Sequence, residues 1–438
     1  MAVRNPRVDE MKECISRGLT TAQNIGATAA KICFYHEEKI TCGFESGSLK
    51  STETSESISY NVEALVAGRK GNVWGNRLDK LDGMIEAAVT LARHGSAAHF
   101  DAYPSPGELT PVNIHSEKTL TLSREQMIRS CQGMDDLLRS YDPDLWTRCS
   151  AERTDSEGLL VTSGGVCYHT TRTQWQLGAF VQRIEEGSTL TAYDDRKWCD
   201  LNAFYDPTAI ANGVIAELRR GDQLASPPLG QVKALLTPRT LGWMLSPVLE
   251  AASGRTVAEG LSPLAGRLNQ QMLASTLTIL DDPHREYDPR SRATDSDGIA
   301  TRKQAIFEKG VLRTFLYDLD SAGLAGVEPT GNDGCSPCSP IVHAGDRPSA
   351  ELLASVKDGL YVSNLLGFEL VNAVSGDFSA SLALAWRVRD GEVVGRVKDT
   401  MISGNVYELF KRSVELSSDL DYEGRYPCAL VEGIQVSA

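Results

Sequence analysis

The sequence predicts an α+β fold of two domains, an N-terminal mixed α/β domain followed by a C-terminal, mostly antiparallel β domain with a few helices. Three observations predict it. Helical and strand periodicities come in separated blocks rather than in strict alternation. At 438 residues the chain exceeds what one ordinary core holds. The segment LASPPLG (224–230), small residues around a double proline, separates a helical pattern from the buried-strand run QVKALLT. The cut placed there gives domains 1–225 and 226–438, with a sub-boundary near 101–117.

The first 25 residues carry apolar positions at helical spacing up to Gly26. TAAKICFYHE and KITCGFES then alternate like two paired strands, and SISYNVEALVAGRKG continues the strand pattern. Leu81, Met84, Ile85, Ala88, Val89 and Ala92 form a stripe that lays one helix face on a sheet, and Gly95 closes that helix. DAYPSPGELTPVN (101–113) reads as a connector. Ser123 and Gln126 make a capping-box pattern that starts a helix reaching about Tyr141. Short strands are expected from Leu145 to about Ile184, then an amphipathic helix over TAIANGVIAELRRGD (208–222). The second half opens on Thr237-Pro238, a helix cap followed by proline in the first turn, and runs through LSPVLE. Beyond it come mostly antiparallel strands with turn glycines and a late helix capped by Asn405 and Glu408. No internal repeat is evident.

Composition is that of a soluble globular protein, 41% hydrophobic and 23% charged. No apolar run reaches the roughly 18 to 20 residues that span a bilayer. The N-terminus turns charged and amphipathic at once, without the apolar region of a secretory signal, so a cytoplasmic location is expected. Net charge is −14, from 58 acidic and 44 basic residues without a basic cluster, which argues against nucleic acid as a direct partner. In a reducing compartment most of the ten scattered cysteines should be free thiols used as small core residues.

The search for chemistry starts with the seven histidines, which never approach H-E-x-x-H, the pattern that places two imidazoles on one helix face beside a glutamate. His94 and His99 come nearest, with Gly95 between them. Cys335 and Cys338 form one C-x-x-C in GNDGCSPCSP, but a four-ligand site needs a second pair, so the loop reads as carrying two incidental thiols. No G-x-S-x-G elbow occurs. The acidic stretch at 281–303, with carboxylates at 281, 282, 288, 295 and 297, lacks an EF-hand loop and is expected to be a solvated turn region in which Asp297-Gly298 turns a hairpin. In AVSGDFSASLALAW, Gly376 permits close backbone approach, and Asp377 and Ser379 offer polar handles beside Phe378. That combination suits a bulged strand or a peptide-docking edge.

GLSPLAGRLNQQMLASTLTILDDP, TDSDGIATRKQAIFEKGVLRTFLYDLDSAGLAG, PTGN, GLYVSNLLGFELVNAVSGDFS and MISGNVYEL follow one another as the blocks of the TldD/PmbA family do, proteins also called modulators of DNA gyrase. The chain resembles that family closely over 230–438 and more loosely over the first half, where AGRKGNVWGNRLDKLDGMIEAAVTLAR carries the likeness. The resemblance implies a cytosolic peptidase built from two related subunits, TldD and TldE (PmbA), which enclose a cavity where an unfolded peptide is cut. In the TldD type a helix bears H-E-x-x-x-H and a cysteine near the C-terminus completes the zinc site; the TldE type has no metal motif. Counted back from the shared block, that window falls on Leu245 to Glu250. Leu245 and Glu250 stand at the histidine positions and Ser246 at the glutamate, with Pro247 following. Cys428 does not match the C-terminal ligand, and SGDFSASLALAWRVRDGE sides with the TldE type. No catalytic residue or metal ligand therefore carries over.

The leading expectation is a TldE-like subunit without cofactor that pairs with a zinc-bearing TldD-like metallopeptidase and holds substrate peptide, with Gly376, Asp377, Phe378 and Ser379 at the edge nearest it. Homodimers in isolation are compatible with this. A second reading is a non-enzymatic peptide- or protein-binding homo-oligomer, and a third an enzyme with an unrecognised metal site of scattered His, Cys and Asp.

Overall fold

The computed structural model describes residues 6–185, 188–203 and 205–438. The N-terminal half builds a seven-stranded antiparallel sheet from β1 (Ala29–Glu45), β2 (Ser48–Val66), β3 (Arg69–Gly75), β4 (Ser96–Ala97), β5 (Trp146–Thr162), β6 (Cys167–Glu185) and β7 (Ser188–Trp198), in the order β4-β3-β2-β1-β5-β6-β7. The hairpins β1–β2 and β2–β3 turn on Ser46-Gly47 and Ala67-Gly68. Both residues of each pair have positive φ, the turn whose twist matches that of paired strands.

Helices α1 (Pro6–Asn24), α2 (Leu81–Ala92), α3 (Glu117–Leu120), α4 (Arg124–Tyr141) and α5 (Pro207–Arg220) belong to this half. Alternation along β1 puts Ala30, Ile32 and Phe34 under α1 and α2, and Cys42 and Phe44 under α4 and α5, so both helix pairs cover one face. All six stripe residues of α2 are buried, and Ser123 and Gln126 form the capping box of α4. Lys31, on the other face, has its Nζ 3.6 Å from Glu63 of β2, its cross-strand neighbour, and reaches across to the C-terminal half, where it lies 2.6 Å from Asp297.

Two strand expectations are corrected. The segments around TAAKICFYHE and KITCGFES are one 17-residue strand, paired with β2 and β5 and not with each other. The strands between Leu145 and Ile184 are long, 17 and 19 residues. The structure also shows a repeat of topology without a repeat of sequence. The order α1-β1-β2-β3-α2 recurs as α4-β5-β6-β7-α5, and β1 meets β5 antiparallel at the centre, from Lys31 opposite Thr162 to Glu45 opposite Arg148.

The C-terminal half contains β8 (Gly230–Leu236), α6 (Pro238–Ala251), α7 (Gly254–Ala258), β9 (Ile279–Asp281), β10 (Gln304–Glu308), β11 (Val311–Leu312), α8 (Leu319–Ala325), β12 (Pro340–Val342), α9 (Ser349–Ala354), β13 (Asp358–Leu366), β14 (Asp377–Arg389), β15 (Glu392–Arg396), β16 (Met401–Asn405), α10 (Val406–Lys411), β17 (Val414–Leu420) and β18 (Pro427–Ser437). The pairings β13-β8-β18-β16-β14 return to β13 and close a ring, in which the β13–β8 pair is parallel and the others antiparallel. A four-stranded sheet, β11-β10-β9-β12, stands beside it. One face of the ring packs on α6 and α10. From the other face Leu384 and Trp386 enter the apolar cluster of α4 and α5, which joins the two halves. Among the described residues no helix is long and apolar enough to cross a membrane.

Candidate functional site

Helix α6 holds the positions that the resemblance singles out. Thr237 caps it by accepting from the Thr240 amide, Pro238 occupies its first turn, and the Thr240 hydroxyl donates to the Ser363 carbonyl at 2.9 Å. Leu241, Met244, Leu245, Val248 and Leu249 line one face and are all buried against the ring. Pro247 has no N–H to offer the Trp243 carbonyl. The Ser246 hydroxyl donates to that carbonyl instead, at 2.8 Å, so this serine repairs the ladder next to the proline. Leu245 is fully buried, whereas Ser246 and Glu250 are exposed. Residues five apart on a regular helix point about 140° away from each other, which is why one of the paired positions faces the core and the other faces solvent.

Glu250, in the last turn of α6, lies near Tyr407 of α10. Burial, with the Glu250 charge adding to it, pushes the Tyr407 hydroxyl up to about 12. The same ring fixes the Gly376 turn. Gly376 has φ +76°, and a Cβ there would lie 2.4 Å from Tyr407, so no other residue fits without displacing the ring. The Tyr407 hydroxyl donates to the Ala373 carbonyl, and the Asn405 amide donates to the Ser375 carbonyl and to Asp377. Asp377–Ser381 pair with β16, while β13 joins β14 only from Ser381 onward, so the other edge of Asp377–Ala380 meets no strand among the described residues. Phe378 is buried, and Asp377 and Ser379 are exposed. The structure thus brings Glu250 and the Gly376–Ser379 stretch together around Tyr407. Tyr407 escaped the sequence reading because only the fold places it between segments more than a hundred residues apart.

At the opposite end of α6 a cavity of about 470 Å³ opens between the halves, bordered by Asp194, Glu217, Arg239, Trp243, Glu423 and Arg425. Burial raises the Asp194 and Glu217 carboxyls. Burial also works to raise Glu423, but Arg425 and Arg290 overcome it and hold that carboxyl below its usual range. A second cavity, about 540 Å³, lies between the open face of the N-terminal sheet and the Arg292–Ser296 loop, with Tyr35, Trp74 and Tyr168 on its walls.

The acidic stretch is not a solvated turn region. Asp281, Asp282, Asp288 and Asp295 are buried, because each has backbone or cationic partners to satisfy it. Asp281 accepts from the Ser339 amide and the Asn332 side chain, both at 2.7 Å; Asp282 accepts from Lys303 at 2.6 Å. Asp288 accepts from the Arg290 amide at 2.9 Å. One oxygen of Asp295 caps the Asp297-Gly298 turn, accepting from the amides of Asp297 and Ile299 at 2.9 Å each. Its other oxygen has no partner, and burial together with the Asp297 charge pushes the carboxyl up to about 7. Cys335 and Cys338 are both buried and hold different partners: Cys335 lies 3.0 Å from the Ser321 hydroxyl, and Cys338 receives the Arg292 Nε at 2.9 Å. His99 engages Asp320 through its amide at 2.9 Å and its ring at 3.4 Å.

The family model described as the PmbA/TldA metallopeptidase C-terminal domain matches residues 229–438. Metalloprotease PmbA of Escherichia coli O157:H7 is 25% identical over 441 residues, covering 90% of this chain and 94% of that one. The chain belongs to the TldD/PmbA family. A metalloprotease PmbA homolog of Buchnera aphidicola reaches 31% identity over 172 residues, 39% of this chain and 38% of its own. The TldD/PmbA fold extends over the whole chain. A putative modulator of DNA gyrase from Bacteroides thetaiotaomicron superposes with a TM-score of 0.90 at 22% identity, covering 98% of this chain and 99% of its own. TldE from Thermococcus kodakarensis superposes at 0.87 with 19% identity, covering 97% and 100%.

Two outcomes follow for this region. Leu245→His with Ser246→Glu and Glu250→His should give no zinc-dependent peptide cleavage, and in urea unfolding it should cost about 3 kcal/mol by placing an imidazole in an apolar core. For Asp295, the folded carboxyl keeps its proton up to about pH 7 and the unfolded one only to about 3.9. The folded state therefore binds more protons between these values, and its stability falls as pH rises through them. Asp295→Asn keeps the turn bonds and removes this loss. Measured by urea unfolding, the variant should gain on the natural protein from about pH 4 to 7 and stay ahead above that by a few kcal/mol.

Proposed function

We propose that this chain is the non-cleaving, TldE-type subunit of a two-subunit cytoplasmic peptidase, pairing with a TldD-type metallopeptidase subunit whose zinc does the cutting. Its own part is to complete the enclosing cavity and to hold an unfolded peptide. The observation that carries this reading is α6. Where the TldD type carries its metal helix, this chain presents a buried leucine, a serine committed to a backbone carbonyl and a solvent-facing glutamate. No pair of donors converges there.

The stretch from Gly376 to Ser379 supports the second part of the role. An extended peptide binds by adding to a strand edge, since backbone hydrogen bonds tolerate many side chains. The edge of Asp377–Ala380 that meets no strand offers such groups next to the C-terminal end of α6. Relatives named metalloprotease PmbA and TldE support a part in proteolysis.

Reconstitution tests it. The purified chain, a TldD-type subunit from the same genome and their mixture are assayed on an unfolded fluorogenic peptide. The chain alone should be inactive, the two should co-elute, and the mixture should cleave at least tenfold faster than the TldD-type subunit alone. Zinc-dependent cleavage by the isolated chain would defeat the proposal. Peptide binding by a homo-oligomer that neither joins nor activates the TldD-type protein would establish the lone binding protein instead.

A further inference from the structure

The helix-bearing face of the N-terminal sheet is apolar toward both ends and ionic in the middle. Between the part covered by α1 and α2 and the part covered by α4 and α5, its positions are His36 and Glu38 on β1, Glu56 on β2, Asp155 and Glu157 on β5, and His169 on β6. Glu38 stands directly opposite Glu56 on one side and Asp155 on the other. Like charges directly opposite each other across strands destabilise a sheet, and here one carboxylate has two such neighbours.

The nearby cations are engaged elsewhere. Lys39, next in sequence, points to the other face, where it pairs with Glu37 and Glu152. The Arg153 guanidinium donates to the carbonyls of Leu120 and Leu122 at 2.8 and 2.7 Å. Among the described residues no lysine or arginine forms an ion pair with Glu38, Glu56 or Asp155. What does approach is an imidazole: His36 Nε2 lies 2.9 Å from Glu56 Oε1, and one ligand atom from each of His36, Glu38 and Glu56 lies within 4.8 Å of the other two.

We propose that His36, Glu38 and Glu56 form a binding site for a divalent transition-metal cation of the zinc type. Bonds of about 2.0–2.2 Å to imidazole nitrogen and carboxylate oxygen put tetrahedral donors roughly 3.4 Å apart, a spacing these side chains reach by small rotations. The imidazole selects against Mg²⁺ and Ca²⁺, which prefer all-oxygen shells. His36 and Glu38 sit two apart on one strand, and Glu56 is fixed opposite by the hairpin register, so the backbone already sets the donor positions. Asp155, opposite Glu38, and water are available for the remaining positions. Glu38 and Glu56 are exposed, so the ion enters from solvent. It would tie β1 to β2 midway along strands of 17 and 19 residues, in the gap between the helix pairs. The site is independent of α6 and of any peptidase partner.

The test uses the full chain, freed of metal with a chelator and titrated with Zn²⁺ by calorimetry and with Co²⁺ by visible absorption. One equivalent should bind, with the d–d bands of an imidazole–carboxylate site, and Zn²⁺ should raise Tm where Mg²⁺ and Ca²⁺ do not. His36→Ala and Glu56→Gln should weaken binding at least tenfold, and His343→Ala, at an exposed and unrelated position, should not. Glu38→Gln separates a ligand from a structural charge: it should raise Tm in the metal-free protein by relieving the repulsion, and abolish the Zn²⁺-induced rise. Absence of stoichiometric binding, equal binding of Mg²⁺, or binding undiminished in the His36 and Glu56 variants would overturn the assignment.

Discussion

The packing of α6 on the strand ring is the interaction on which the C-terminal half depends. Five apolar side chains of that helix meet Ala234, Leu236, Leu360, Val362 and Ile402 from the ring, and each fully buried aliphatic contributes about 2 kcal/mol. The cap at Thr237 and the hydroxyl of Thr240, bonded to carbonyls of β13, fix where the helix starts and how it is rotated. Once the rotation is set, the direction of every later residue follows. Leu245 must face the ring, and Glu250 must face out. The same constraint that stabilises the half closes Leu245 off from solvent and turns Glu250 toward it.

The two halves are held by contacts of opposite character. Trp386 and Leu384 carry the second face of the ring into the apolar cluster under α4 and α5, while Lys31, beside Glu63 of its own sheet, crosses to Asp297 with little of its side chain exposed. A buried ion pair adds little net stability, but losing one partner strands a charge, so Lys31 acts mainly to fix register between the halves. That register creates the two cavities along the junction. It also explains why Asp281, Asp282, Asp288 and Asp295 are buried: these carboxylates serve the backbone turns and cations that line the seam.

How much of this was legible in the sequence depends on how far apart the interacting residues lie. The α2 stripe, the Ser123–Gln126 box and the Thr237-Pro238 start are local patterns, and each stands in the structure as read. β1 was divided because His36-Glu37-Glu38-Lys39 are four polar residues in succession, which look like a turn. They lie in the gap between the helix pairs, where a strand needs no apolar residue to stay a strand. The repeated topology left no trace because the two copies share a pattern of elements and not of side chains. The burial of Asp288 and Asp295 was invisible for a related reason, since acidic density suggests solvent until partners distant in sequence are in place. At the candidate site, Leu245 could be located by counting from a shared block, whereas Tyr407 needed the packing of α10 on the Gly376 turn, and the His36, Glu38 and Glu56 group needed a strand register.

The central claim is that α6 is a packing helix and not a mobile element of a reaction site. Native-state hydrogen exchange of the Met244, Leu245, Val248 and Leu249 amides tests it most directly, since elements that move in catalysis open at low free energy and core elements open only with the whole domain. These four amides are expected to exchange with the same free energy and denaturant dependence as the amides of β8 and β18. Exchange through a local opening several kcal/mol below that value, with the strands still protected, would contradict the account.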